Sequence, residues 1–142
     1  MTVDFPTHSI IVVKKLYGGF ITMKLKKMRL KNFRGYSNVT VEFDDNLNVI
    51  IGRNDVGKST ILEALEIYFN SDKIKMDISD LSVFSTEPKI EIVCCFEVEG
   101  GKMLFDATNY STCKDEFLLN KEGLLEIKQV WDCSKGKLTA SN

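Results

Sequence analysis

The sequence has few residues of the kinds that build catalytic dyads and metal sites. It contains one histidine, His8, and none of its four cysteines is spaced as Cys-x-x-Cys. No carboxylate or serine is placed by spacing beside His8, so we predict no catalytic dyad. Cys94 and Cys95 are adjacent, which directs their side chains to opposite faces of a strand and disfavours a zinc site. Because the sequence also has no recognisable secretory leader, we expect reduced thiols.

A long apolar run is also missing. No stretch approaches the roughly 18 apolar residues of a membrane span, and no cleavable leader is recognisable, so we expect a cytoplasmic protein with no membrane partner. The 142 residues with 44% apolar content are enough for one folding unit with a core. We expect an extension of uncertain order at residues 1–22, followed by a single domain at residues 23–142.

The net charge of -1 conceals an uneven distribution of charge along the chain. No acidic residue lies between Phe5 and Val41, whereas acids prevail beyond that point. Such a basic stretch either steers a polyanion such as DNA or ATP toward the protein or forms a solvated strand face. The basic residues concerned are Lys14, Lys15, Lys24, Lys26, Lys27, Arg29, Lys31 and Arg34.

Apolar alternation predicts several strands. Residues 23–34 fit a half-buried strand with one irregularity, and residues 39–43 place apolar side chains on one face only. The alternation is strongest at residues 89–99. A hairpin-type turn at Gly100 and Gly101 leads into residues 102–107, and a turn at residues 120–123 precedes a strand at residues 124–131. No regular element is predicted for residues 1–22.

A strand and a helix flank a glycine-containing loop in the middle of the chain. Residues 47–51 are a mostly apolar run that ends at Gly52, as expected of a strand buried on both faces. Residues 58–69 have apolar side chains at helical spacing, with Glu63, Glu66 and Asn70 on the other side. One amphipathic helix is therefore predicted, and its apolar positions are Ile61, Leu62, Leu65, Tyr68 and Phe69.

The loop between them matches the phosphate-binding pattern G-x-x-x-x-G-K-[ST]. Its backbone N–H groups and the start of the helix favour phosphate oxygens. Lys58 is predicted to reach the β- and γ-phosphates of ATP, the Ser59 hydroxyl to bind Mg²⁺, and Thr60 to lie by the α-phosphate. The predicted nucleotide-binding residues are Gly52, Arg53, Asn54, Asp55, Val56, Gly57, Lys58, Ser59 and Thr60.

The segments MKLKKMRLKNFRGY and LNVIIGRNDVGKSTILEAL resemble the opening of the RecF/SMC-like ABC-type ATPases. The chain is most similar to the OLD family of overcoming-lysogenization-defect nucleases and Gabija-type antiphage proteins, mainly over residues 23–69. The resemblance implies an α/β fold, a P-loop NTPase that forms the first lobe of an ABC-type head. It also implies that Asn32 and Arg34 lie beside the nucleotide, with Arg34 near the phosphates. The alternative for Arg34 is a surface charge.

The resemblance further implies parts that these 142 residues do not contain. They lack a Walker B strand ending in Asp-Glu, an ABC signature and a Toprim domain, and Gln129 lies in a predicted strand rather than in a magnesium-sensing loop. We predict no catalytic residues. The chain is expected to bind ATP with little turnover, to need a second head or a carboxy-terminal portion for hydrolysis, and to meet DNA only within the full assembly.

Three functions are open. The first is an ATPase lobe, and the second is a non-enzymatic nucleotide-gated interaction module or an inactive remnant. A small-molecule kinase is the third reading, but it needs an arginine-rich lid, and residues 70–142 contain no arginine. An incomplete head would also expose apolar surface, which predicts self-association.

Two further features are interpreted as structural. Asp77 and Asp80 are three residues apart in a polar stretch, which indicates a turn or helix cap rather than a metal site. Trp131 has no second aromatic at period two, so we interpret it as a packing residue rather than a base-stacking platform.

Overall fold

The structure, a computed structural model, describes residues 11–16, 19–45, 57–70, 73–100, 103–104, 110–111, 113–114 and 118–141. The predicted strand at 47–51 and the loop residues 52–56 lie outside these ranges. In chain order the described elements are β1 (Ile11–Leu16), β2 (Gly19–Phe33), β3 (Tyr36–Glu42), α1 (Lys58–Tyr68), the 3-10 helix η1 (Ile78–Asp80), β4 (Lys89–Gly100), β5 (Met103–Leu104), β6 (Tyr110–Ser111), β7 (Leu125–Asp132) and β8 (Thr139–Ser141).

The first strand was not expected from the sequence. Strand β1 pairs antiparallel with β2, with Ile11 opposite Lys24 and Leu16 opposite Gly19. The expectation of no regular element in this stretch was therefore wrong for residues 11–16. Strand β2 begins at Gly19, so the boundary that we placed at residue 23 falls inside a strand. The division into an extension and a domain stays a prediction.

Most of the described strands belong to one sheet. Its order is β1-β2-β4-β7-β8, and β3 pairs with β2 beside this path. Strands β7 and β8 are antiparallel, with Trp131 opposite Ala140. The predictions of β2, β3, β4 and β7 are confirmed, whereas β8 was not predicted. Of the predicted strand at 102–107, the described part is Met103–Leu104, which pairs with β6 in a separate two-stranded sheet.

The chain divides into two compact units. Unit 1 comprises the described residues within Met1–Lys27, Glu42–Asn48 and Cys94–Ile127, and unit 2 comprises those within Met28–Val41, Val49–Val93 and Lys128–Asn142. Helix α1 and η1 both lie in unit 2. The side chains of unit 2 that are wholly inaccessible to solvent are Met28, Leu30, Phe33, Ala64, Ile90 and Ile92.

Helix α1 confirms the predicted amphipathic helix. Its buried residues are Ile61, Ala64, Leu65, Ile67 and Tyr68. The assignment of Leu62 to the apolar face was wrong, because this side chain is 56% exposed.

Two polar residues close the carboxyl end of α1. Asn70 adopts a left-handed backbone conformation (φ 56°), and its N–H donates to the Ile67 carbonyl at 3.0 Å. From β7, Gln129 Nε2 donates to the Tyr68 carbonyl at 3.2 Å. Gln129 therefore satisfies one of the carbonyl groups that the end of a helix leaves without a partner.

The interpretation of Asp77 and Asp80 as a cap is confirmed. Asp77 is the N-cap of η1, and its Oδ1 accepts hydrogen bonds from the N–H of Ser79 at 2.9 Å and from its hydroxyl at 2.7 Å. Those bonds lower the pKa of Asp77. Asp80 Oδ2 accepts from the Asp77 N–H at 2.8 Å, which completes a capping box. Trp131 is 7% exposed, as expected of a packing residue.

Two residues with left-handed backbone flank the buried Phe33. Asn32 has φ 57° and Arg34 has φ 50°, a region that costs most L-residues about 1–2 kcal/mol. The Asn32 side-chain amide donates to the Lys89 backbone carbonyl at 3.0 Å, and the Asn32 backbone carbonyl accepts from the Ser82 N–H at 2.9 Å. These bonds tie the end of β2 to the segment that leads into β4.

We expect two substitutions of Asn32 to separate its hydrogen bond from its backbone conformation. Asn32→Gly loses the bond to Lys89 but tolerates positive φ, so it should lower the free energy of unfolding by about 1 kcal/mol. Asn32→Ala loses the bond and adds backbone strain, for a total of about 2–3 kcal/mol. Urea unfolding followed by circular dichroism measures both. Equal losses in the two variants would contradict the strained conformation.

Candidate functional site

The beginning of α1 carries the described part of the glycine-rich loop. Gly57 is the N-cap residue with φ 81° and ψ 14°, and within the described residues no side chain caps this end. The first turn has no acidic residue. Lys58 and Thr60 are half-buried along this turn, and Ser59 is exposed. Backbone N–H groups at a helix start carry partial positive charge, so this end of α1 suits an anion.

The loop residues Gly52, Arg53, Asn54, Asp55 and Val56 lie outside the described residues. The structure therefore places Gly57, Lys58, Ser59 and Thr60 of the predicted phosphate-binding set, and it brings these four together on the first turn of one helix.

Tyr36 lies against this first turn. A Cβ atom added to Gly57 would lie 2.5 Å from the Tyr36 hydroxyl oxygen and 2.9 Å from the ring carbon that bears it. The positive φ favours glycine at position 57, and a larger residue there would also displace the Tyr36 side chain. Tyr36 begins β3, so the short turn between β2 and β3 passes beside the start of α1. No sequence pattern indicated this contact.

Arg34 lies in that turn and forms ion pairs with two carboxylates. Its Nε donates to Asp80 Oδ1 at 2.7 Å, and its Nη1 donates to Glu63 Oε2 on α1. The guanidinium carbon is 5.1 Å from the centre of the Phe33 ring. Burial acts to lower the pKa of Arg34, but the hydrogen bonds to Asp80 and Glu63 outweigh it and raise the pKa above its usual value.

Asn32 is the other residue that the family resemblance placed beside the nucleotide. It is 5% exposed, and its side-chain amide is engaged with the Lys89 carbonyl. In this structure Asn32 therefore fixes the backbone from which Arg34 extends.

Glu63 and Asp80 were not identified as site residues from the sequence. Glu63 was assigned only to the polar side of α1, and Asp80 only to a cap. Their shared partner, Arg34, is 29 residues from Glu63 and 46 from Asp80 along the chain. No local pattern predicts such pairing. The sequence showed only that one basic and two acidic residues belong to the same predicted domain, which does not indicate that they pair.

The basic stretch of β2 is compensated by carboxylates in the fold. Four of its lysine side chains each lie within 4 Å of an acidic group. The pairs are Lys24 with Glu99 at 3.8 Å, Lys26 with Asp45 at 2.8 Å, Lys27 with Glu122 at 2.9 Å and with Glu42 at 3.7 Å, and Lys31 with Glu87 at 3.4 Å. Partly exposed pairs of this kind contribute little stability, but they reduce the positive potential of the strand.

All four cysteines are buried thiols outside any disulfide. Burial raises the pKa of both Cys113 and Cys133, which keeps these thiols protonated. Within the described ranges, no three His, Cys, Asp or Glu residues are grouped so that they could hold a metal ion. The helices of the described residues include none long and apolar enough to span a membrane.

Comparison with known proteins identifies the family. The family described as AAA ATPase domain matches residues 23–134. Endonuclease GajA of Bacillus cereus is 32% identical over 122 residues, which cover 84% of this chain and 18% of that protein. The Rad50 double-strand break repair ATPase of Archaeoglobus fulgidus is 51% identical over 45 residues, which cover 32% of this chain and 5% of that protein.

One further relative and one solved structure are also similar to the chain. The RecF replication and repair protein of Acetivibrio thermocellus is 29% identical over 120 residues, which cover 84% of this chain and 27% of that protein. A solved structure from a study of ATP-driven dimerization and DNA-stimulated activation of SMC ATPases superposes with a TM-score of 0.51 at 16% identity, over 82% of this chain and 68% of that chain.

The chain spans about a quarter or less of the length of these curated relatives. The fold is an α/β fold that forms part of a P-loop ABC-type ATPase head, and the resemblance to RecF/SMC-like proteins is confirmed. The chain belongs to the AAA ATPase domain family.

Proposed function

We propose that this chain binds ATP with Mg²⁺ at residues 52–60, as the amino-terminal lobe of an ATPase that acts in DNA processing or antiphage defence. One observation carries the proposal. The glycine-rich motif leads into a helix whose first turn presents Gly57, Lys58 and Ser59, where the described residues provide neither a side-chain cap nor an acidic group to compete with an anion.

Each residue of this turn has a specific role in the proposal. The backbone N–H groups of the loop and of α1 donate hydrogen bonds to phosphate oxygens. Lys58 places a positive charge at the β- and γ-phosphates, and Thr60 lies by the α-phosphate. Ser59 offers a hydroxyl, a ligand that suits Mg²⁺ because this ion retains waters and phosphate oxygens in its shell. Arg34 supplies a second positive charge.

Hydrolysis is proposed to need a second head or a carboxy-terminal portion. The relatives are several times longer than this chain, and the SMC ATPases of the solved structure undergo ATP-driven dimerization. Unit 2 exposes large apolar side chains of the kind that partner surfaces cover, with Leu62 at 56%, Phe84 at 71% and Val83 at 89%. We place the full assembly in the cytoplasm and propose that DNA binds to that assembly. Strand β2 is not the proposed DNA-binding surface, because carboxylates pair with its lysines.

The alternative is a non-enzymatic module gated by nucleotide. The engagement of Asp77 and Asp80 favours it, since hydrogen bonds within the cap and to Arg34 occupy Asp77 Oδ1 and both carboxylate oxygens of Asp80. Mixing the chain with a candidate partner separates the two functions. Restored ATP hydrolysis supports the ATPase lobe, whereas nucleotide-dependent association without hydrolysis supports the module.

We expect Lys58→Ala to weaken Mg²⁺-ATP binding by about 10-fold or more, because it removes a charged donor to the phosphates. Isothermal titration calorimetry measures the affinity. Lys121→Ala is the matched control, since Lys121 is exposed in the turn before β7 and its removal changes the net charge equally. If neither the original chain nor the control binds ATP, the proposed function is wrong.

We expect Gly57→Ala to abolish nucleotide binding and to destabilise the fold. The added methyl group meets the Tyr36 hydroxyl at 2.5 Å, and left-handed backbone costs alanine about 1–2 kcal/mol. Gly123→Ala is the control, because Gly123 has a similar φ of 76° with no atom within 4 Å of the new carbon.

Urea unfolding should therefore show the larger loss for Gly57→Ala. Adding Tyr36→Ala removes the close contact and should reduce that excess. Equal losses in the two glycine variants would show that Tyr36 does not restrict this turn.

A further inference from the structure

Three charged side chains of unit 2 form a group that the phosphate-binding motif does not include. Arg34 contacts Asp80 through Nε and Glu63 through Nη1. One positive and two negative charges give this group a formal charge of -1. It lies beside the helix that is proposed to bind the negatively charged phosphates.

Asp80 holds Arg34 firmly. The Asp80 side chain is 10% exposed, and its Oδ2 accepts from the Asp77 N–H at 2.8 Å while Oδ1 accepts from Arg34 Nε at 2.7 Å. The Asp80 backbone carbonyl also accepts from the Arg34 N–H, at 2.6 Å. Asp80 thus binds both the backbone and the side chain of Arg34, and its other carboxylate oxygen is fixed by the cap of η1.

Glu63 holds Arg34 less firmly. Its side chain is 30% exposed, and it contacts one terminal nitrogen of the guanidinium. A guanidinium has five N–H donors, of which one belongs to Nε and four to the terminal nitrogens. The terminal nitrogens are therefore able to change partner while Nε stays on Asp80. A phosphate group is the kind of bidentate acceptor that suits them.

Arg34 lies in the turn between β2 and β3, which passes beside the start of α1. Tyr36, two residues after Arg34, lies against Gly57. Glu63 is six residues after Gly57, which corresponds to about 9 Å of rise along the helix. Arg34 also keeps a left-handed backbone (φ 50°), and such strain in a non-glycine residue is concentrated at functional sites.

We propose that Glu63 and the phosphates of ATP compete for the terminal nitrogens of Arg34, while Asp80 retains Nε. Glu63 then lowers the affinity of the site for nucleotide and releases Arg34 when ATP binds. This inference rests on the proposed function, because it requires that phosphates occupy the start of α1. It adds Glu63 as a residue that sets affinity without touching the nucleotide.

The test is Glu63→Gln, which keeps the shape of the side chain and removes its charge. Because an ion pair at this exposure is weak, removing the competitor should tighten Mg²⁺-ATP binding by about two- to five-fold in calorimetry at low ionic strength. Glu91→Gln is the matched control. Glu91 is 23% exposed and pairs with Lys128 at 3.8 Å, so this variant breaks a similar ion pair elsewhere in unit 2 and should leave the affinity unchanged.

Two more variants separate competition from simple repulsion. Glu63→Asp keeps the charge but shortens the side chain, so its contact with Arg34 is weakened and ATP binding should again tighten. In an Arg34→Ala background, Glu63→Gln should have no effect, because nothing remains to compete for. Thermal melts of every variant establish that each is folded before binding is measured.

The outcomes distinguish the inference from the function on which it rests. If Lys58→Ala abolishes binding but Glu63→Gln leaves it unchanged or weaker, competition is wrong and ATP binding stands. Tighter binding by Glu63→Gln even without Arg34 would mean direct repulsion and would also overturn the inference. If the unaltered chain does not bind ATP, both the function and the inference fail.

Discussion

The hydrogen bonds between the turn after β2 and the segment around η1 hold the candidate site in place. The Asn32 side chain binds the Lys89 carbonyl, the Asn32 carbonyl accepts from Ser82, and the Arg34 N–H binds the Asp80 carbonyl. These bonds join chain segments about 50 residues apart. They also offset the unfavourable left-handed backbone on both sides of Phe33. Without them, Arg34 would have no fixed direction toward α1.

Compensation of charge is the second feature shared by the described residues. The lysines of β2 face carboxylates, and Arg34 faces two. The start of α1 differs, since its first turn has no acid and, among the described residues, no side-chain cap. Backbone dipoles therefore favour an anion at this end of the helix. The basic residues earlier in the chain contribute less, because carboxylates compensate the lysines of β2.

Local patterns were sufficient to predict the elements with a strong internal period. Apolar residues at alternating or helical spacing identify β2, β3, β4, β7 and α1. The majority of the predicted ends lie within one or two residues of the observed ends. Strand β1 was missed because its stability comes from pairing with β2, and two lysines interrupt its apolar run. Strand β8 is three residues long and is likewise defined by its partner β7.

The residues of the candidate site also divide into those that a local sequence pattern predicts and those that only tertiary contacts reveal. Lys58 and Ser59 were predictable because the phosphate-binding motif is contiguous in sequence. Tyr36, Glu63 and Asp80 were not, because each enters the site through contacts with residues 21 to 46 positions away. The resemblance to a family placed Asn32 and Arg34 beside the nucleotide, but it did not reveal their partners. Tertiary structure alone shows that Arg34 is shared by two carboxylates.

This sharing connects the start of α1 with η1 through one side chain. Helix α1 contributes Glu63, the 3-10 helix contributes Asp80, and Arg34 joins them from the turn between β2 and β3. In the proposed competition, a ligand that draws the guanidinium from Glu63 leaves the Glu63 carboxylate without its partner. Under this proposal, binding at the first turn is coupled to the surface of the same helix, on which Leu62 is exposed. A partner that packs against this helix would then encounter a different charge once the proposed nucleotide is bound, which is a physical route from the proposed ATP binding to assembly.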